Sequence, residues 1–225
     1  MARAQETLAR FARTGIGQRS RRLVVLFRPT YRSKRAVLPL RSEIPFLLNR
    51  RRLLGCGAEI GVQRGEFSEI LLEHWRGAHL ISVDPWQAAP PDEYDDISNV
   101  TQDEHDAYHA ETVERLARFG SRSTIWRQTG EEAVERIPHH SLDFVYLDAR
   151  HDYDSVLSDL ADWYDKVRPG GIFAGHDYLD GHFASGEYGV RSAVDEFCRG
   201  KGLDVSATLA DRPWRSWWLT VPRPR

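Results

Sequence analysis

The sequence predicts one α/β domain built on a doubly wound, mostly parallel sheet of seven strands that ends in an antiparallel hairpin. Three observations predict it. From residue 57 onward, short apolar runs alternate with amphipathic stretches of helix length, the pattern of strands joined by crossover helices. After the last such helix, two further apolar runs follow closely enough to pair as a hairpin. The chain of 225 residues, 41% of them hydrophobic, suffices for one well-buried core and is short for two domains.

In chain order, strands are expected over 58–62, 79–84, 123–127, 142–148 and 171–175, short apolar runs with glycine or polar residues at or just past their ends. Helices are expected over 66–76, 102–118, 130–137, 153–167 and 189–200. Thr101 and Glu104 have the spacing of a capping box at the start of the second of these. Arg168, Pro169, Gly170 and Gly171 form a stop signal after the fourth. The closing hairpin takes 204–209 and 214–221.

Charge divides the chain. Residues 1–52 carry 14 Lys and Arg against Glu6 and Glu43, a balance of +12, whereas the remainder is −14 and the whole is −2. The near-neutral total excludes a globally basic nucleic-acid binder and a strongly acidic disordered chain. Residues 1–52 are therefore read as a basic, helical amino-terminal appendage, and 53–225 as the catalytic-type domain. Arg19, Arg21 and Arg22, with Arg50, Arg51 and Arg52, suit a polyanion or anionic lipid surface, but solvated charge or docking on the acidic body explains them equally well. Leu8 and Phe11, then Ile44, Phe46, Leu47 and Leu48, have amphipathic spacing. Cys56 and Cys198 lie far apart with no C-x-x-C, which predicts neither a disulfide framework nor a structural zinc site. With no signal-peptide or spanning run, a cytoplasmic location without a membrane span is expected.

In doubly wound sheets ligands sit outside the carboxyl ends of the strands. At the first strand's end, Glu59, Gly61 and Gly65 lack the G-x-G-x-x-G spacing of a dinucleotide site, so NAD is not expected. Gly61 lets backbone approach a ligand, and Glu59 is an anion where a phosphate loop would avoid one, which suits an amino-acid ammonium. Asp84, at the second strand's end, is placed to accept hydrogen bonds from two ribose hydroxyls. The plainer alternative makes Gly61 and Gly65 turn glycines and Asp84 a helix cap. In these residues the chain resembles the class I S-adenosylmethionine-dependent methyltransferases, with Glu59 and Gly61 as the first motif and Asp84 as the acidic residue of the second. The resemblance covers about 57–221 and implies a Rossmann-like fold, S-adenosylmethionine as cofactor, the methionine moiety at the Gly61 turn, ribose on Asp84, and adenine enclosed by Trp86 with Gln128, Thr129 and Gly130.

The fourth and fifth strand ends carry Asp148 and Asp177, two carboxylates able to share one hard divalent cation such as Mg²⁺. His151 lies three residues past Asp148, and an imidazole with an ordinary pKa near 6.5 can take a hydroxyl proton at neutral pH. The plainer alternatives are a helix cap for Asp148 and a solvent-facing helix-start residue for His151. The arrangement is similar to metal-dependent small-molecule O-methyltransferases, which include catechol enzymes and the sugar methyltransferases of macrolide and mycobacterial polysaccharide biosynthesis. That resemblance places His151 at the general-base position, occupied by Lys in catechol enzymes and His in sugar-modifying relatives, and so implies a saccharide hydroxyl as acceptor and a homodimer. Many relatives carry Asp-Asp or Asp-Asn at the fifth strand, where this chain has His176, Asp177 and Tyr178. His176 is thus a further candidate metal ligand, although imidazole suits Mn²⁺ or a transition ion better, and contact with substrate or with the ligands is the alternative role.

Three segments are expected to surround the strand ends: 90–109, 179–188 and the basic amino-terminal region. Tyr94, Tyr108, Phe183 and Tyr188, with Asp180, His182 and Glu187, suit a sugar ring or a polyphenol. The acidic run from Asp92 to Asp96 and the pair His139 and His140 read as solvated loop. A phenolic acceptor, and a non-catalytic protein that holds a polyanion, RNA or membrane through residues 1–52, are the rival functions.

Overall fold

The computed structural model describes residues 37–90 and 92–224. Leu8, Phe11 and the Arg19 to Arg22 cluster lie outside them. Helix α1 (Ile44–Arg50) precedes strand β1 (Cys56–Ile60), α2 (Glu66–His74), β2 (His79–Asp84), α3 (Gln102–Ala117), β3 (Ser123–Arg127), α4 (Gly130–Val134), β4 (Leu142–Leu147), α5 (Tyr153–Tyr164) and β5 (Val167–Gly175). Then come β6 (Asp180–Phe183), β7 (Gly186–Gly189), α6 (Val190–Lys201), β8 (Ser206–Ala207) and β9 (Trp217–Thr220). The main sheet has the order β3-β2-β1-β4-β5-β9-β8. Its first five strands are parallel, while β9 runs antiparallel to β5 and β8. This is the seven-stranded, Rossmann-like sheet with a carboxy-terminal hairpin that the alternating pattern predicts. Strand order reverses between β1 and β4, and the crevice at that point is where ligands bind in such sheets.

The sheet is buried on both faces because side chains alternate across it. One face, with Ala58, Ile60, Val145, Leu147 and Phe173, packs on Leu160 and Trp163 of α5 and on Ala193, Val194 and Phe197 of α6. On the opposite face Tyr146 lies 4.4 Å from the Phe67 ring of α2, and Phe144 meets Trp75 at 6.2 Å. Ile44, Leu47 and Leu48 of α1 are also buried. Residues 38–52, part of the expected appendage, thus fall in the same compact unit as the sheet, which runs from Leu38 to Arg225. Their apolar spacing has core to cover, and this outweighs the basic composition they share with the residues before them.

Several boundaries differ from the sequence expectation. Strand β1 begins two residues early, where Cys56 and Gly57 pair with His79 and Leu80, and ends two residues early because Gly61 turns to φ +85° and breaks the extended run. The Arg168 to Gly171 signal does not precede β5 but lies within it, as a register shift against β4 between Leu142 and Phe144. The segment after β5, expected as loop, folds into the β6–β7 hairpin. Both capping boxes, Thr101 with Glu104 and Thr129 with Glu132, are formed. Among the described residues no helix is long and apolar enough to cross a membrane.

Candidate active site

The β1 turn and the end of β4 are locked together. The Asp148 amide donates to the Ile60 carbonyl at 2.7 Å, and a Cβ on Gly61 would lie 2.0 Å from the Asp148 carbonyl oxygen. Only glycine fits there, on both space and φ. Asp84, at the end of β2, accepts from the Val62 and Gln63 amides at 2.8 and 2.9 Å and from the Trp86 amide at 2.7 Å. Its carboxylate therefore shapes the Gly61 turn, and any ribose hydroxyl would share those oxygens. Trp86 is fully buried at φ +43°, its indole N–H donates to the Gln63 carbonyl at 2.7 Å, and its ring packs on His109. It is a wall of this region and not an open platform. The Thr129 side chain accepts from the Glu132 amide in its capping box, and Gly130 begins α4 close to Ile60 and Trp163.

Glu59 is 1% exposed and accepts a hydrogen bond from Ser68, which also meets Ser82 at 2.9 Å. It is sealed within the protein, beneath the turn. Burial pushes its carboxyl up to about 8, with the charges of Asp148 and Asp84 acting the same way and Ser68 and Arg41 opposing. Because the folded value lies above the ordinary 4.5, this group favours folding fully below pH 4.5, and the benefit is lost as pH rises through about 8. Glu59→Gln is expected to remove that loss. Urea unfolding should show the variant gaining on the order of 1–3 kcal/mol over wild type between about pH 5 and pH 8.5.

The acidic residues Asp148 and Asp177 and the imidazole of His151 converge at adjacent strand ends, with one ligand atom from each lying within 4.8 Å of the others. His151 Nε2 is 3.1 Å from Asp177 and its Nδ1 is 2.9 Å from Asp96. The ring stacks on Tyr188 at 4.7 Å, and the His151 carbonyl accepts from the Gly189 amide at 2.9 Å, so β7 clamps both ring and backbone. Burial alone would lower the His151 pKa, but hydrogen bonds to Asp177 and Asp96 and the nearby charge of Asp148 prevail and push it up to about 10. Burial also opposes the charge on Asp177, yet His151 and His176 hold it well below the usual carboxylate range. His176 Nδ1 lies 2.8 Å from Asp177 and 3.6 Å from Asp148. Its ring is not in the cluster that the other three residues form. The residue that caps α5 is Asp152, through the Ser155 amide at 2.9 Å, which leaves Asp148 free of that role.

Two residues of the site escape the sequence analysis. Asp92, Glu93 and Asp95 are exposed, as are His139 and His140, but Asp96 is buried. The expectation of a solvated acidic loop therefore fails at Asp96. Its Oδ1 accepts from the Ser98 amide and hydroxyl at 2.8 and 2.7 Å, its Oδ2 meets His151, and its backbone bridges to Gly186 of β7. An Asp-x-Ser turn was the available signal, although nothing in the sequence says which acid turns inward. The other is Arg41, whose Nη1 lies 3.4 Å from Asp148. A shallow cleft at the ends of β4 and β5 is lined by Asp148, Ala149, His151, Asp159, His176 and Trp217. Phe183, Tyr188 and Trp214 pack on one another with ring centroids 5.1 to 5.6 Å apart, next to His151.

Residues 58–178 match the family model described as a methyltransferase domain. Over 138 residues the chain is 25% identical to an uncharacterized protein of Sinorhizobium fredii, a stretch that covers 58% of this chain and 13% of that much longer protein. Among solved structures it is similar to the O-methyltransferase from Bacillus cereus in complex with SAH, with a TM-score of 0.55, 13% identity, and 81% of this chain and 80% of that one covered. It is also similar to the O-methyltransferase TomG from Streptomyces achromogenes, involved in tomaymycin synthesis and in complex with SAM, with a TM-score of 0.55, 14% identity and coverage of 81% and 79%. At such identities the likeness is one of fold. The family match spans more than half of the chain, from β1 past Asp177, and on that ground the protein belongs to the methyltransferase-domain family.

Proposed function

We propose that the protein is an O-methyltransferase that moves a methyl group from S-adenosylmethionine to a sugar hydroxyl, with Mg²⁺ held by Asp148 and Asp177 and His151 as general base. The observation that carries this reading is the line Asp96, His151, Asp177 lying beside Asp148 at two adjacent strand ends. The donor set fits a hard cation: two carboxylates supply oxygen ligands and leave positions for water and substrate. The Gly61 turn suits the cofactor by its place, at the carboxyl end of β1 beside the Asp84 carboxylate, where a doubly wound sheet takes its ligand. When bound, S-adenosylmethionine supplies an electrophilic methyl on sulfur. Mg²⁺, when bound, supplies Lewis acidity that lowers the pKa of an oxygen acid.

The chain's own residues supply the proton path. Asp96 accepts from Nδ1, which fixes the tautomer of the neutral ring and leaves the Nε2 lone pair facing the Asp148 and Asp177 side. A cation held by Asp177 would take the place of the imidazolium as its partner, and His151 would then serve as the neutral base. An alkyl hydroxyl needs this assistance more than a phenol, which ionises near pH 10. Phe183 and Trp214, packed on the buried Tyr188, provide aromatic surface for the ring of the acceptor. Trp86, Thr129 and Gly130 enclose the adenine side in this reading, Glu59 supports the turn from below, and His176 contacts the Asp177 carboxylate.

The test is transfer from labelled S-adenosylmethionine to a panel of saccharides, partly methylated mannosides and glucosides among them, and to catechols, with Mg²⁺ or EDTA. Metal-dependent labelling of a sugar is the expected result. Labelling of catechols alone would replace the sugar with a phenolic acceptor, and cofactor binding with no labelled acceptor would count against the acceptor classes named here.

A further inference from the structure

We propose that Arg41 is a carboxylate-binding residue, placed to receive the α-carboxylate of the methionine portion of S-adenosylmethionine where the Gly61 turn meets Asp148. The proposal rests on the cofactor reading given above. It starts from how firmly Arg41 is held. Its backbone N–H donates to the Asp211 carboxylate at 2.6 Å, and the carbonyls of Leu38 and Pro39 accept from the Leu209 and Ala210 amides at 3.2 and 2.9 Å. The segment before α1 is thereby pinned to the loop between β8 and β9, and it delivers a cation to the strand ends from outside the sheet.

The guanidinium lies over the Phe67 ring at 5.2 Å, beside Tyr146, and its side chain keeps 31% exposure. One face is covered by protein and part remains accessible. Of its five N–H donors, one engages the Tyr146 hydroxyl and those on Nη1 reach Asp148 only at 3.4 Å, so donors remain for a further acceptor. Asp148 is the residue whose backbone is locked to the Gly61 turn, so the guanidinium stands beside the place where the methionine moiety is expected. Asp148 is also a proposed metal ligand, and a cation held there would compete for its charge, leaving the partly exposed guanidinium free to pair with a ligand anion. The α-carboxylate of the cofactor is such an anion and has matched geometry, because a guanidinium fork binds a carboxylate through two parallel hydrogen bonds.

Calorimetric titration of S-adenosylhomocysteine and of its decarboxylated analogue, S-adenosyl-3-thiopropylamine, into the full-length protein tests the assignment, with wild type beside Arg41→Met and Arg41→Lys. Wild type is expected to prefer the carboxylate-bearing ligand by roughly 10- to 100-fold. Arg41→Met should lose that preference while binding the decarboxylated analogue within about 2-fold of wild type, which also shows that the variant is folded. Arg41→Lys should recover part of the preference, since a point charge replaces the fork. Equal weakening of both ligands would assign Arg41 a structural role and overturn the proposal, as would an unchanged preference in Arg41→Met. Failure of wild type to bind either ligand would remove the cofactor reading, and this assignment with it, by a different signature.

Discussion

His151→Ala is expected to lower methyl transfer by about 10²- to 10⁴-fold, the range for loss of a positioned general base, while S-adenosylhomocysteine binding stays near wild type. The separation follows from geometry: His151 touches Asp96, Asp177 and Tyr188 at the β4 and β5 side of the site, away from Asp84 and Trp86. The loss should appear in kcat more than in KM, because the proton moves only in the transition state. Asp96→Ala should cost less, about 10- to 100-fold, since it removes the group that orients the ring and not the ring itself. In a His151→Ala background the same Asp96 change should cost almost nothing further, as residues acting as a unit are not additive. Unchanged turnover in His151→Ala would remove the imidazole from the mechanism. A full additional loss from Asp96→Ala in that background would make Asp96 a structural residue of the loop and hairpin.

Asp148→Ala is expected to abolish both activity and its stimulation by Mg²⁺, a loss of at least about 10³-fold if the cation contributes several kcal/mol to the transition state. The carboxylate stands between Arg41 at 3.4 Å and His176 at 3.6 Å, and burial together with the charge of Asp177 raises its pKa. Two acids side by side, Asp177 buried and Asp148 half-buried, repel, so a divalent cation between them would relieve the cost of keeping both charged. Activity measured against Mg²⁺ concentration checks the assignment: a variant still stimulated by Mg²⁺ would refute Asp148 as a ligand. A thermal melt accompanies it, because the backbone of Asp148 holds the Gly61 turn and should survive the loss of a side chain.

Most of the sheet was legible in the sequence because its signals are local. Alternating apolar runs and amphipathic stretches placed β2, β3 and β4, and the capping box of Thr101 with Glu104 marked the start of α3. The β6–β7 hairpin was not legible: its strands are short, and three of its glycines and two of its acids hide the period of two. Charge misled at two places. Residues 38–52 share the basic composition of the segment before them, yet Leu38, Ile44, Leu47 and Leu48 are core. Asp96 shares the acidic composition of Asp92, Glu93 and Asp95, yet it alone is buried, because a bridge to Gly186 and the turn at Ser98 draw it against His151.

What the sequence by itself determined was the fold class and the strand-end residues, Gly61, Asp84, Asp148, His151 and Asp177, since a parallel sheet brings the carboxyl ends of its strands to one edge whatever its loops do. What only the tertiary structure decided was how those residues are occupied. Asp84 is spent on the turn backbone, Trp86 is a buried wall, Glu59 is sealed beneath the turn with Ser68, and His151 is held between two carboxylates. The physical reason is that hydrogen-bond partners and pKa values depend on distance and burial, and Asp96 and Arg41 reach the site across 55 and 107 residues of chain. No local pattern encodes a contact of that span.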